Sequence, residues 1–340
     1  MTFERWSANG LIRPAKWPAF VLGAVIFVLP APLLSGQATR AGCVAPRYKV
    51  IELPLRPAAI NDAGQVAGTT SHHRAAMWTQ RNGLREFELP AGFQNSEGVA
   101  INSSGHLLDI AYDQTFKKHE SFIFANGVLT LLTGKQTRGY DINNAGVVAG
   151  ESLIDDREIS QPVLWSDNSI RSLGGCCGGS SKGVNATGEA IGDAYDAEGR
   201  YHAFYWTAGS GIQLIGPPDR YSSAIAINSR GDVVVQSFPE IFLYSAGKLT
   251  RLFLSPKYTN HPRAINDCGV VVGSFGPHSD ADRAFVWEKS VGFQDLNARI
   301  PIDSGWKLES AVSISNRGEI VGSGDFKGDD NRGFLLVPTP

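Results

Sequence analysis

One six-residue pattern returns seven times along this 340-residue chain. Ala59-Ile60-Asn61-Asp62-Ala63-Gly64 is echoed at 100–105, 141–146, 183–188, 226–231 and 264–269, and at 313–318 with Ser315 in the asparagine slot. The steps between copies are 41, 41, 42, 43, 38 and 49 residues. A near-fixed period of this length means one supersecondary unit repeated, each copy burying its apolar faces against its neighbours.

Each copy carries four short apolar runs. The first ends in Ile-Asn, and the second follows the glycine, as in Val147-Val148-Ala149-Gly150. The third alternates and ends in an aromatic, as in His202-Ala203-Phe204-Tyr205-Trp206, and the fourth is led by a turn, as in Gly247-Lys248-Leu249. Runs rich in β-branched and aromatic residues, bounded by Gly, Asn, Asp or Pro, read as strands. No segment after residue 46 keeps helical periodicity for ten residues. In Asn-x-x-Gly the asparagine bonds its own backbone two residues on, and the glycine takes the positive φ of a tight hairpin. A hairpin between runs one and two excludes a parallel β-helix. Four antiparallel strands in about 40–45 residues make a propeller blade.

The last copy lacks its fourth run, and an orphan fourth run, Tyr48-Lys49-Val50-Ile51-Glu52-Leu53, precedes the first. The expectation is an all-β, seven-bladed propeller over residues 47–340, with the Ile-Asn strands innermost. The N-terminal strand completes the last blade as its outermost strand, which removes the open edge between first and last blades.

The His-Ala-Phe-x-Trp run with an upstream Ile-Asn-x-x-Gly-x-Val-Val-Gly resembles the HAF repeat, a family of extracellular, propeller-like repeat proteins, over about residues 47–340. That family implies no activity to carry over. The histidine is intact only at His202; Arg74, Glu120, Gln161, Glu240, Arg283 and Arg332 fill its slot elsewhere, so it is not a shared catalytic group. The second-strand glycine is Gly68, Gly150, Gly192, Gly273 and Gly322, with Asp109 and Val235 in two units.

Residues 1–38 read as an address. Arg5, Arg13 and Lys16 precede an uncharged stretch with an apolar heart at 20–29, and Gly36-Gln37-Ala38 suits a cut after Ala38. The alternative is an uncleaved anchor helix, although Pro30 and Pro32 disturb its last turn. Either form exports residues 47–340, joined by a linker at 39–46, to a secreted or periplasmic location, with the membrane touched only through an uncleaved leader. Export permits disulfides among Cys43, Cys176, Cys177 and Cys268, and four cysteines allow three pairings. They read as structural or incidental, and Cys268, in a turn slot filled elsewhere by Ala, Ser, Thr or Arg, reads as replaceable.

Function is expected where copies differ. The recurring aromatics and turn asparagines read as packing and turn chemistry. The loops joining strands two to three and four to one vary most and are acidic. From them we select Arg220, Tyr221, Trp306, Asp155 and Asp196 as candidate binding residues. The acidic stretches at 193–199 and 325–331 lack the alternating spacing of a calcium loop, so no metal and no cofactor is expected. Gly-x-Ser-x-Gly, His-Glu-x-x-His and phosphate loops are absent, and a formal charge of −2 without a basic run argues against nucleic acid. The sequence reading is a monomeric, exported, non-enzymatic scaffold that binds a protein or glycan. The alternatives are a polysaccharide hydrolase or lyase with carboxylates at the propeller mouth, and a structural envelope protein.

Overall fold

The computed structural model describes residues 47–154, 159–167, 169–175, 177–252, 258–277 and 282–339. The leader, the linker, Cys43, Cys176 and Asp155 lie outside them. Seven four-stranded antiparallel sheets succeed one another at 56–86, 95–131, 135–172, 179–214, 223–252, 259–295 and 306–339. Six are continuous meanders. The seventh takes its outermost strand from Arg47–Leu53, which pairs with the last strand from Arg47↔Thr339 to Leu53↔Gly333. The one helical element among the described residues is a 3₁₀ turn, Leu296–Arg299.

The apolar residues form seven clusters, each shared by neighbouring blades. Ala149 and Leu164 of blade 3, for example, meet Val184, Ala190 and Trp206 of blade 4. The seam between chain ends has a cluster of the same kind, where Val321 and Leu335 of blade 7 meet Ile60, Val66 and Trp78 of blade 1. The recurring aromatic occupies one register position throughout, opposite the first residue of the second strand: Val66↔Trp78, Val148↔Trp165, Ala190↔Trp206 and Val271↔Trp287. Those four tryptophans are buried, which bears out the packing reading. The second-strand glycine is also steric. A Cβ on Gly192 would fall on the Ser180 carbonyl oxygen and the Phe204 ring, so the phenylalanine of the third strand lies directly over the glycine.

The asparagines do more than shape turns. Asn102 Oδ1 accepts from the amides of Ser104 and His106 at 3.0 and 2.9 Å, closing the turn. Its Nδ2 then donates to the carbonyl of Asn143 in the next blade at 3.1 Å. The same link runs from Asn61 to Asn102, Asn143 to Asn185, Asn185 to Asn228, Asn228 to Asn266 and Asn266 to Ser315. A belt of side-chain amides therefore ties each of the first six blades to the next around the mouth where the hairpin turns converge. Ser315, which has no amide, bonds within its own turn.

Each innermost strand also carries a bulge just before this asparagine, seen as a register shift at Gly139/Asp141 and Ala311/Ser313 and at the matching place in the other five blades. The side chain after the bulge reaches the next blade where it is polar. Ser313 Oγ accepts from the Ile60 amide at 3.3 Å, and Asp141 Oδ2 from the Val184 amide at 3.0 Å. Burial pushes the Asp141 carboxyl up to about 6 against the two amides that oppose it. Its place in this recurring bridge makes it structural.

Candidate functional site

Hairpin turns one-to-two and three-to-four lie on one face of the ring, and the irregular loops on the other. Blade 4 and the loop leaving it build the most developed feature of that second face. Its second strand ends at Tyr195 and its third begins at Tyr201, paired across the hairpin. The loop into blade 5 brings Tyr221 against Tyr201, with ring centroids 5.1 Å apart at 35°, and the Tyr195 and Tyr201 rings meet edge-on at 6.3 Å. These tyrosines are 43%, 39% and 52% exposed. Exposed aromatics in mutual contact are costly to leave in water and are characteristic of binding surfaces.

The loop between Tyr195 and Tyr201 is held by Asp196. Its Oδ1 accepts from the amides of Glu198 and Arg200 at 3.0 and 2.8 Å, and its Oδ2 meets Arg200 Nε at 2.8 Å and His202 Nε2 at 3.0 Å. Desolvation opposes the anion, but the Arg200 amide, the His202 ring and the Arg200 guanidinium outweigh it and hold the carboxyl at about 2. Asp196 thus fixes the tyrosines rather than offering a free charge. Asp193 is likewise engaged: Oδ1 accepts from the Ala224 amide at 3.1 Å, Oδ2 takes the Ser223 hydroxyl at 3.1 Å, and Lys182 pairs with the same oxygen. Burial raises its carboxyl despite the lysine.

The sequence-selected residues therefore separate. Tyr221 and Asp196 share one neighbourhood. Arg220, next to Tyr221, is turned to Glu240 at 2.9 Å, where Arg251 also pairs. Trp306 lies in blade 7, stacked on Phe326 at 4.8 Å and 25° with Phe334 edge-on. It lines a cleft of about 710 Å³ with Ile300 and Tyr48, rimmed by the charged Arg47, Lys49, Glu52 and Arg299. Tyr195 and Tyr201 were not selected; the signal available was one aromatic at each end of a short charged loop.

A second cluster joins the first two strands of blade 2 to the inner strand of blade 3. Asp109 stands where five blades have glycine, 1% exposed, and neither carboxylate oxygen has a partner in hydrogen-bond geometry. Burial pushes its carboxyl up to about 7; the Glu97 amide offsets part of this, and the Glu97 carboxylate adds to it. Tyr112, whose hydroxyl burial and Glu97 raise, and Arg138 belong to the same group, and Tyr140 donates to Glu151 at 2.9 Å.

Cys268 is disulfide-bonded, which corrects its reading as a replaceable position.

No protein-family profile and no curated protein sequence matches the chain. Solved structures do match in fold. Virginiamycin B lyase from Staphylococcus aureus aligns with a TM-score of 0.55 at 13% identity, over 85% of this chain and 99% of that one. The Cps50 (Swd1) β-propeller domain of Myceliophteria thermophila aligns with a TM-score of 0.54 at 14% identity, over 86% and 98%. YCF48, solved bound to a D1 peptide, gives 0.54 at 12%, over 86% and 97%. At these identities the likeness establishes the fold alone: this chain is a seven-bladed, all-β propeller.

Proposed function

We propose that the protein is an exported, non-enzymatic scaffold of the HAF-repeat kind that captures a glycan on its loop face, with Tyr195, Tyr201 and Tyr221 as the platform. The observation that carries the reading is that trio of exposed, contacting rings held by a self-neutralised Asp196–Arg200–His202 network. Flat aromatic faces stack on the C–H faces of sugars, and neighbouring polar groups take the hydroxyls. The Cys268 disulfide supports an oxidising, extracytoplasmic setting.

The test is affinity electrophoresis of the mature chain through gels containing a β-glucan, a xylan or a soluble chitosan. At least one polysaccharide retards the protein, and Tyr201→Ala or Tyr221→Ala abolishes the retardation without lowering the melting temperature. If none retards it, or the tyrosine variants migrate like the parent, the glycan reading fails and a protein partner takes its place.

A second reading, a polysaccharide-active enzyme, is favoured by Asp109 alone. A carboxyl raised to about 7 beside Glu97 is protonated at neutral pH as a general acid must be, but both its oxygens are closed off in the folded blade, so a substrate reaches it only if blade 2 opens. That reading requires new reducing ends from one of the same polysaccharides, lost in Asp109→Asn.

A further inference from the structure

The seam where the chain ends meet carries a second site, independent of the tyrosine platform. A cleft of about 460 Å³ opens on the loop face between blades 7 and 1. Arg56, Thr70 and His73 line it from blade 1, Asn331 and Arg332 from blade 7, and Leu55 from the connection between them.

Three observations mark it as built for a ligand. Thr70 is 6% exposed and its hydroxyl has no partner. The same slot, nine residues after the turn asparagine, holds Ser152 in blade 3 and Ser237 in blade 5, and both hydroxyls bond backbone carbonyls, that of Lys135 at the start of the inner strand at 3.1 Å and that of Tyr221 in the loop just before it at 2.8 Å. Thr70 is thus the exception among like positions. Its amide and carbonyl are already used, by Arg74 and His73 at 2.9 and 3.0 Å, so the buried hydroxyl is its one polar group without a partner. Second, His73 and Asn331, one from each blade, adopt φ of 56° and 58°. Left-handed backbone at non-glycine residues costs energy and concentrates at ligand clamps. Third, the cleft is cationic. Arg332 is paired with Glu52, but the Arg56 guanidinium has no ion pair or hydrogen bond among the described residues. The corresponding positions of the other blades are Glu97, Arg138, Ser180, Ser223, His261 and Ser310, so the charge is particular to this blade and to blade 3.

We infer that this cleft binds a hydroxylated carboxylate of one- or two-ring size, the chemistry of an acidic sugar. The planar fork of Arg56 receives the carboxylate. Thr70 Oγ1 and the Asn331 amide take ring hydroxyls, and Leu55 with Pro54 supplies an apolar wall for the C–H face. The volume lies within the range of small-ligand pockets, roughly 300–1,000 Å³.

Isothermal titration calorimetry of the mature chain with digalacturonate tests this, with maltose and inorganic phosphate as controls. Digalacturonate binds with a salt-sensitive affinity at least tenfold above either control. Arg56→Gln lowers that affinity at least tenfold. Thr70→Val lowers it about fivefold while the melting temperature holds or rises, since an unpartnered buried hydroxyl has been removed. Tyr221→Ala leaves it unchanged, so this site and the platform fail separately. The inference is overturned if digalacturonate does not bind, if phosphate binds equally well, or if Thr70→Val binds like the parent.

Discussion

Replacing Asp109 by asparagine should stabilise the protein at alkaline pH and hardly at all in acid. The native carboxyl is raised from 3.8 to about 7, chiefly by burial. Below pH 4 the group is neutral in folded and unfolded chains alike. As pH climbs, the unfolded chain ionises first while the native group stays protonated, so stability drains away from about pH 4 until the native group also ionises near 7. Three units of displacement correspond to about 4 kcal/mol. Asparagine has nearly the same shape and no titration, so the variant's advantage over the parent should grow by about 4 kcal/mol between pH 4 and pH 8.5. For a ring of about 290 residues, unfolding entropy of roughly 2.1 cal/mol/K per residue converts this to ~7 °C in melting temperature. Missing hydrogen-bond partners burden both side chains at pH 4 and cancel from the difference. Urea unfolding at the two pH values, with Asp109→Gly as a companion restoring the glycine of five other blades, supplies the measurement. Parallel stability curves for parent and variant would show that Asp109 is solvated or partnered, and the reasoning would fail.

The same geometry fixes the response to four other perturbations. Ser315→Asn supplies the amide missing from the belt and should add about 0.5–1.5 kcal/mol, whereas Asn102→Asp turns a donor into an acceptor facing the Asn143 carbonyl and should cost about 1–3 kcal/mol, both read by urea midpoints. Reducing the Cys268 disulfide should cost about 2–4 kcal/mol, and Cys268→Ser should melt at the same temperature with and without reductant. Asp196, held at about 2, should keep its platform loop intact through mild acid and release it only as pH falls toward that value; a carboxyl NMR titration midpoint near 4 would contradict the network.

The period of the Ile-Asn-x-x-Gly unit was enough to reach the ring, its blade count and the pairing of residues 48–53 with 333–338, because those properties are shared by every copy. The sites were less legible because they arise between copies. Tyr195 and Tyr201 become one surface only when a hairpin brings the ends of a loop together, and Tyr221 arrives from the following connection. The seam cleft joins residues about 270 positions apart. Asp109 was visible as a departure from glycine, but its burial and lack of partners depend on the strands around it. The belt has a sequence signature of its own. A turn needs only an acceptor, which aspartate or serine supplies equally well. Asparagine in six of seven slots implied a use for the donor half, and the structure places that donor on the next blade's carbonyl.

That belt explains why one face varies and the other does not. Each turn asparagine must meet its own turn and its neighbour at once, so the turn face tolerates little change in length. The spread from 38 to 49 residues between copies has to be absorbed on the loop face. The longest step shows how. Residues added before blade 7 are pinned by Asn297, whose amide donates to the Leu308 carbonyl at 2.9 Å and whose oxygen accepts from the Leu308 amide at 2.8 Å. One asparagine thereby does for an insertion what a ladder rung does for a strand, and the inner strand beyond it still reaches Ser315 in register with the ring. A scaffold held on one side by backbone-directed bonds leaves the opposite loops under little constraint from folding, and the exposed tyrosines, the Asp196 network and the seam cleft all lie there.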